Sequence, residues 1–147
     1  TGIIGAKGDD FDATPEGLSG KIIGVQVSTI HADYAEKYFG EGAAEIKQYQ
    51  TQDEANQDLA AGRLDAVQAD AIALDAFLKS DQGMACCDMK GNVAEDLEIL
   101  GPGVGAGVRK EDSELKEKLN AAIAAIRENG TYDEITKKYF DFDIYGG

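Results

Sequence analysis

Ser28, Thr29 and Ile30 lie where a site for an anion is expected. They follow the apolar run 22–27, which is typical of a buried strand, and they open a segment with helical periodicity. In open α/β sheets, ligands bind beyond the carboxyl ends of the strands, and the first turn of a helix there offers free N–H groups to a carboxylate or phosphate. The alternative interpretation is that Ser28 or Thr29 only caps the helix.

Asp70 holds the same kind of position after a later strand pattern. It follows residues 64–69 and precedes an apolar helical pattern, so its carboxylate can accept hydrogen bonds from an ammonium group or can act only as an N-cap. An anion site and a carboxylate at neighbouring strand ends together match the two charges of a zwitterion. His31 is the single histidine of the chain, and it lies in the first helical turn, close enough to the anion site to touch a ligand. A surface or capping role is the alternative for this residue.

No catalytic constellation stands out elsewhere in the sequence. The candidate hydroxyls lie in helix caps, so no Ser/His/Asp set can be assembled around His31. The chain has no phosphate loop of the Gly-x-x-x-x-Gly-Lys type, and the glycines of 101–107 lie within a strand signal, which argues against a dinucleotide fingerprint. We therefore expect no catalytic residue, no metal site and no cofactor.

Cys86 and Cys87 are adjacent, and they are the two cysteines of the chain. A disulfide between neighbours is sterically awkward, and two cysteines alone do not make a metal site. The sequence therefore favours two small, half-buried thiols. In an oxidising compartment, one of them could instead pair with a cysteine outside this chain.

Strand and helix patterns alternate along the first two thirds of the chain, which predicts an α/β fold with a parallel sheet covered on both faces. The predicted strands are 2–5, 22–27, 46–49, 64–69, 97–100 and 104–108. Helices follow the second, third and fourth of these strands, and an amphipathic helix with apolar residues from 115 to 126 follows the last. Residues 81–96 show no clear periodicity and are expected to form a polar loop.

Two capping boxes are predicted at helix starts. Thr51 pairs with Glu54 in one of them, and Thr131 pairs with Glu134 in the other. In this motif the Thr hydroxyl accepts a hydrogen bond from the amide three residues on, while the Glu side chain reaches back to the cap N–H. Both boxes therefore predict where a helix begins.

The charge of the chain limits the classes of partner that it can bind, and the distribution of that charge suggests a boundary between two units. With 28 acidic and 14 basic residues, the net charge is −14, which disfavours nucleic acid and anionic membrane surfaces as partners. No apolar run approaches the roughly 20 residues that a membrane-spanning helix needs. Residues 1–102 carry 7 basic and 19 acidic residues, whereas residues 103–147 carry 7 and 9. This shift predicts a boundary between two units near residue 102, with ordinary surface variation as the alternative.

Four ordered segments of the chain resemble the periplasmic polar amino-acid-binding proteins of ABC importers, above all the lysine/arginine/ornithine, histidine and opine binders. The segments are 24–30 (GVQVSTI), 58–66 (DLAAGRLDA) with Asp70 four residues on, 105–110 (GAGVRK) and 130–140 (GTYDEITKKYF). The resemblance covers essentially the whole chain. It implies a lobe of the type II periplasmic binding protein fold, in which a parallel sheet is flanked by helices, and a periplasmic location.

The resemblance also implies that the chain is a partial two-lobed clamp. It assigns residues 1–102 to the second, inserted ligand-binding lobe with an entry segment. Residues 103–147 become the return hinge strand and the C-terminal helices of an incomplete first lobe. The implied function is the binding of a polar or basic amino acid, or an opine-like derivative, between two lobes, with docking of the closed form on an ABC transporter membrane permease.

The family's ligand contacts map onto particular residues here. By this resemblance, Asp70 takes the ligand α-ammonium group, and Thr29 with the Ile30 amide helps to hold the α-carboxylate. Ser28 and Ile30 depart from the usual Gly-Thr-Thr or Gly-Ser-Thr of the family, which leaves room for a bulkier or modified amino acid. Gln26 and His31 would border the ligand side chain.

Two other function classes stay open at this point. One is a lyase of the same fold, similar to cyclohexadienyl dehydratase, in which His31 or a carboxylate would act as general acid. The other is the ligand-binding module of a sensor or receptor. We also expect a homodimer through the incomplete first-lobe segment, because the helices near 113–129 and 132–139 would carry apolar faces meant for the missing half of that lobe.

Overall fold

The chain forms two separate units. The structure, a computed structural model, describes residues 1–140 and 144–145. Unit 1 comprises Thr1–Gly101, and unit 2 comprises Pro102–Gly147.

Unit 1 is built on a five-stranded mixed sheet. Its strands are β1 (Gly2–Ala6), β2 (Ile22–Gln26), β3 (Glu45–Tyr49), β4 (Ala66–Ala69) and β5 (Cys87–Asn92), in the spatial order β3-β2-β4-β1-β5. Strand β2 runs parallel to both β3 and β4, whereas β1 runs antiparallel to both β4 and β5. The expectation of a parallel sheet therefore holds for β2, β3 and β4. It does not hold for β1 and β5, whose pairing depends on contacts distant in sequence.

Four helices accompany this sheet. They are α1 (Ile30–Phe39), α2 (Gln52–Ala60), α3 (Ala71–Leu78) and α4 (Asp81–Cys86). The start of α2 has the predicted capping box: Glu54 N donates to Thr51 Oγ1 over 3.3 Å, and Thr51 N donates to Glu54 Oε2 over 3.0 Å. The chain leaves α2 through Gly62, whose φ of +70° is accessible to glycine at low cost. The short connections in this part of the chain hold each helix close to the strands beside it.

The apolar residues of unit 1 form two buried clusters. Ile3 and Ile4 are neighbours on β1, and because strand side chains alternate between faces, they enter different clusters. The α1 cluster includes Leu18, Ile23, Val25, Tyr34 and Phe39, and the α2–α3 cluster includes Leu59, Leu64, Val67 and Leu74. Each large side chain that is fully buried contributes about 1.5–3 kcal/mol relative to exposure. The sheet is thus stabilised from both faces.

The segment 58–66 has a structural function in unit 1. Asp58 accepts hydrogen bonds from Tyr49 Oη over 2.6 Å, from Arg63 Nε over 3.0 Å and from Lys47 Nζ over 3.3 Å. Hydrogen bonds from Arg63 and Tyr49 hold the pKa of the Asp58 carboxyl well below its usual range. Asp65 Oδ2 accepts from the N–H of Ile22 over 2.7 Å and so ties β2 to the segment before β4. This segment therefore positions the strands that carry the candidate site.

Residues 81–96 are not the polar loop that the sequence predicted. Ser80 caps α4, because its hydroxyl accepts from Gly83 N over 3.1 Å, and β5 follows α4 directly. The residues of β5 have weak strand propensity, so its conformation depends on antiparallel pairing with β1. Pairing with β1, which is distant in sequence, therefore produces a strand where the local sequence shows no strand pattern.

Two of the predicted strands are absent. Residues 97–100 form a turn, in which Asp96 Oδ1 accepts from Glu98 N over 2.9 Å and from Ile99 N over 3.1 Å. Local hydrogen bonds of this kind compete with strand pairing. Residues 104–108 have no regular structure, and Val104 is almost fully exposed. An apolar run alone was therefore insufficient to predict a strand at either place.

Cys86 and Cys87 form a disulfide, so the expectation of two free thiols was wrong. Helix α4 ends at Cys86, and Cys87 has the extended backbone (φ −138°, ψ 160°) with which β5 begins. The backbone therefore changes from helical to extended between the two residues. This change depends on the β1–β5 pairing and was not visible in the sequence.

The described part of unit 2 contains two helices, α5 (Ser113–Glu128) and α6 (Thr131–Thr136). The predicted capping box at Thr131 does not form, because Gly130 is the N-cap of α6, with φ +80°, and Thr131 already belongs to the helix. Its N–H donates instead to Asn129 Oδ1 over 3.0 Å. No residue of α5 or α6 is buried, and the part of unit 2 that the structure describes exposes the apolar side chains of Leu115, Leu119, Ile123 and Ile135.

Across residues 1–140 and 144–145, no helix combines the length and the apolar character needed to cross a membrane.

Candidate ligand-binding site

The two turns that the sequence singled out open at the same edge of the sheet. Strands β2 and β4 are parallel neighbours, and Ile23 lies opposite Ala66. Three residues further along, Gln26 and Ala69 end their strands at the same level. The 28–30 turn and Asp70 therefore follow neighbouring strand ends, as expected for a ligand site in an α/β sheet.

Ser28 adopts an unusual backbone conformation at this edge. Its φ is +59°, and it is the single non-glycine residue with a positive φ in the described part of the chain. The left-handed region costs an L-residue with a Cβ about 1–2 kcal/mol relative to the right-handed one. Ser28 is exposed, so its hydroxyl is open to solvent beside the first turn of α1.

Thr29 is the N-cap of α1. Its Oγ1 accepts from Ala32 N over 3.2 Å and donates to the carbonyl oxygen of Gln26 over 2.8 Å. A hydroxyl has one proton to donate, so the Thr29 side chain is already committed to the turn. The donors that remain for an anion are the Ser28 hydroxyl and the N–H groups of Ile30 and His31, which the first turn of a helix leaves without intrahelical partners.

Asp70 is the N-cap of α3. Its Oδ1 accepts from Ile72 N over 2.9 Å and from Ala73 N over 3.3 Å. Both cap bonds end on Oδ1, so the second carboxylate oxygen, Oδ2, is not needed for capping. Asp70 is half-buried at the sheet edge. The residue therefore fixes the start of α3 and still presents a carboxylate oxygen.

His31 is the second residue of α1. Its imidazole is half-buried, and its Nδ1 lies 3.2 Å from Thr1 Oγ1. Burial lowers the pKa of His31 below its ordinary value, although the nearby Asp70 carboxylate acts in the opposite direction.

The remaining two predicted residues border the turn. Gln26 ends β2, and its Nε2 donates to the carbonyl oxygen of Gln50 over 3.2 Å. Ile30 is the first residue of α1, with a side chain that is 45% exposed. The amide of Gln26 is thus anchored, and Ile30 provides an apolar surface beside the free N–H groups.

Thr1 is a neighbour of the site that sequence reasoning missed. Because β1 is antiparallel to β4, with Gly2 opposite Ala69, the residue before β1 lies beside the residue after β4. Nothing in the local sequence near Thr1 signals this placement, since it depends on the strand direction.

The N–H groups at the start of α1 and the Asp70 carboxylate are suited to binding a small charged ligand. Among the residues that the structure describes, no three His, Cys, Asp or Glu side chains are grouped to hold a metal ion. A cavity of about 460 Å³ exists in unit 1, but it is lined by Tyr34, Tyr38, Lys90 and Val93 among others and by none of the six candidate residues. The candidate site therefore lies at the strand ends and outside this cavity.

The sequence profile of the bacterial extracellular solute-binding proteins, family 3, matches residues 7–142. The chain belongs to this family. It is 43% identical to the histidine-binding periplasmic protein of Escherichia coli K12 over 148 aligned positions, which cover 99% of this chain and 56% of that protein. It is 48% identical to the L-arginine-binding protein of Pseudomonas aeruginosa over 130 positions, which cover 88% of this chain and 50% of that protein.

The structural comparison points to the same family. An ancestral arginine-binding protein bound to arginine superimposes with a TM-score of 0.70 and 32% identity, covering 95% of this chain and 59% of that one. The solute-binding fold that the sequence predicted is thus confirmed. The chain spans about half the length of the curated relatives it matches.

Proposed function

We propose that this chain is the second-lobe part of an amino-acid-binding protein that serves an ABC importer in the periplasm. In this proposal, residues 1–102 form the ligand-binding lobe with its entry segment, and residues 103–147 form the return strand and C-terminal helices of the first lobe. Membership of the solute-binding family and the periplasmic, amino-acid-binding relatives support it. The division of the chain after Gly101 is compatible with it.

The proposed ligand is a polar or basic amino acid, or an opine-like derivative. Its α-carboxylate would meet the Ser28 hydroxyl and the N–H groups of Ile30 and His31, and its α-ammonium group would meet Asp70. The observation that supports this proposal is the opening of both turns at one sheet edge, where the first N–H groups of α1 and the Asp70 carboxylate follow neighbouring strand ends. The exposed side chain of Ile30 and the imidazole of His31 would border the ligand side chain together with Gln26.

The expected mechanism is closure of two lobes around the ligand. Ligand contacts on both lobes stabilise the shut form over the open form, and the shut form docks on a membrane permease. This chain holds one half of the contacts in this proposal. We therefore expect it to bind its ligand weakly when tested alone.

Calorimetry with arginine, lysine, histidine and octopine tests the ligand proposal. In the full-length protein, we expect micromolar or tighter binding of at least one of these ligands. Asp70→Asn should weaken that binding about tenfold or more, because Asn keeps the N-cap but removes the charge that pairs with the ammonium group. The matched control is Asp33→Asn, which removes an exposed first-turn acid from α1 and should leave the affinity unchanged.

Two results would contradict this proposal. One is micromolar binding by a monomer of the 147-residue chain alone, since half of the contacts would then suffice. The other is equal affinity of the Asp70→Asn and Asp33→Asn proteins. The lyase alternative is not favoured, because the relatives are named as binding proteins. A sensor or receptor module would differ by a membrane span encoded next to this segment.

We further propose that the chain alone forms a homodimer through unit 2. The support is the exposed apolar stripe of Leu115, Leu119 and Ile123 on α5, with Ile135 on α6. Light scattering with increasing concentration should show dimers for the chain, and Ile123→Glu should shift them toward monomers. A monomer at all concentrations would reject the dimer without affecting the ligand proposal.

A further inference from the structure

The disulfide between Cys86 and Cys87 does not brace the fold of unit 1. A disulfide stabilises a protein mainly by restricting the loop that it closes in the unfolded chain, and longer loops gain more. These two residues are adjacent, so their bond closes the smallest loop that a chain allows. Backbone hydrogen bonds hold the same junction: Lys7 N donates to Cys86 O over 2.8 Å, and Cys87 N donates to Gly83 O. The bond can therefore open without release of the chain around it.

The two sulfur-bearing residues differ in accessibility. Cys87 is 3% exposed and belongs to the buried α2–α3 cluster with Ile4 and Leu74. Cys86 is half-buried at the rim of that cluster, and the two residues before it, Met84 and Ala85, are exposed. Cys86 is therefore the more exposed end of the bond.

From this asymmetry we propose that the Cys86–Cys87 pair is a thiol-exchange site, open to a small thiol or to a dithiol on another molecule. The thiolate of the donor attacks Cys86 Sγ, the bond between the two protein sulfurs breaks, and Cys87 leaves as a thiolate that takes up a proton. Cys86 then holds the donor in a mixed disulfide. A second thiol of the same donor displaces Cys86, so one protein disulfide and two donor thiols become two protein thiols and one donor disulfide.

The exchange site is remote from the candidate ligand site along β1. Cys87 pairs with Ala6 at the far end of that strand, whereas Asp70 lies beside its beginning. Opening of the disulfide should therefore leave the ligand-binding edge as it is. The site provides a place for reversible covalent modification, separate from amino-acid binding and independent of the function proposed above.

The direct test uses the unaltered chain under native conditions. The chain is incubated with increasing dithiothreitol, its thiols are alkylated, and they are counted by mass spectrometry while circular dichroism follows the fold. We expect two thiols to appear together with no change in the spectrum, and oxidised glutathione to restore the disulfide. A requirement for denaturant before any thiol appears would overturn the proposal, and so would loss of the native spectrum as the thiols appear.

Two single variants test the asymmetry. Cys87→Ser leaves Cys86 alone, and it should form a mixed disulfide with oxidised glutathione about tenfold or more faster than Cys86→Ser, because reactivity follows access to the thiolate. In urea the two variants should react at equal rates, which identifies burial as the cause. Equal rates under native conditions would refute the attack at Cys86. The measurement on the unaltered chain stays decisive if either variant fails to fold.

Discussion

The two units of this chain differ in how far they bury their apolar side chains. Unit 1 encloses two apolar clusters, one on each face of its sheet. In unit 2, the 41 described residues, 102–140 and 144–145, include α5 and α6, yet no residue of these helices is buried. Regular helices alone thus do not make a core. The difference indicates that unit 1 carries its own stability, while the apolar stripe of unit 2 needs a covering surface.

The largest expected effect contrasts two leucines. Leu74 is fully buried on α3, whereas Leu119 on α5 is 37% exposed. Leu74→Ala should lower the free energy of unfolding by about 2–5 kcal/mol, because it leaves a cavity in a packed cluster. Leu119→Ala should change it by less than about 0.5 kcal/mol. Urea denaturation of the monomeric chain measures both, and a comparable loss in the two proteins would show that the stripe of α5 is covered.

The next effect tests whether the buried polar groups of unit 1 all have hydrogen-bond partners. Gln68 is fully buried on β4, and neither Oε1 nor Nε2 has a hydrogen-bond partner within the described residues. An unpaired buried amide costs about 1–3 kcal/mol, so Gln68→Leu should raise the free energy of unfolding by about 1 kcal/mol or more. The control is Gln57→Leu at an exposed position of α2. If Gln68→Leu is destabilising, the amide has a partner such as an internal water.

A smaller effect concerns the contribution of the Asp58 ion pair to stability and its loss at acidic pH. Hydrogen bonds from Arg63 and Tyr49 hold the native pKa of Asp58 well below its usual range. The Asp58 carboxylate therefore stabilises the fold fully above its unfolded pKa of about 4, and this contribution is lost as the pH falls toward the native pKa. Asp58→Asn should therefore lower the melting temperature at pH 7 and flatten its decline in acid. Glu114→Gln, which breaks an exposed pair with Lys118 in unit 2, should leave the melting curves unchanged at every pH.

The smallest effect concerns strain at the candidate site. Ser28→Gly should stabilise unit 1 by up to about 1 kcal/mol, because relief of the positive φ is partly offset by the greater freedom of glycine in the unfolded chain. Ser28→Ala should show no such gain, since alanine keeps the Cβ. Thermal denaturation compares the two variants, and a gain in both would locate the effect in the hydroxyl and not in the backbone.

The parts of the fold that were predictable are those with local signals. The second predicted strand and the capping box at Thr51 each depend on residues close in sequence; the structure has both, with the strand ending at Gln26, one residue earlier than predicted. Strand β5 and the Cys86–Cys87 disulfide depend on pairing with β1, more than 80 positions away in sequence. No local pattern signals such a pairing. The capping box predicted at Thr131 is absent for a local reason, because Gly130 is already the N-cap of α6.

The candidate site divides in the same way. The two turns were found because a strand pattern runs directly into a helix pattern at Thr29 and Asp70. Sequence patterns do not predict the positive φ of Ser28. They also do not predict that the Thr29 hydroxyl is already hydrogen-bonded within its own turn. The placement of Thr1 beside His31 required the antiparallel direction of β1, which no periodicity reveals.

The order of the sheet has a consequence for the behaviour of the chain in a crowded solution. Strands β3 and β5 lie at its two edges, where free backbone groups can recruit strands of other molecules. Edge strand β3 carries Glu45 and Lys47, and β5 carries Lys90 together with a register shift opposite Ile3 and Ile4. Charges and irregular registers oppose such recruitment. The sheet therefore ends in two strands that discourage edge-to-edge aggregation.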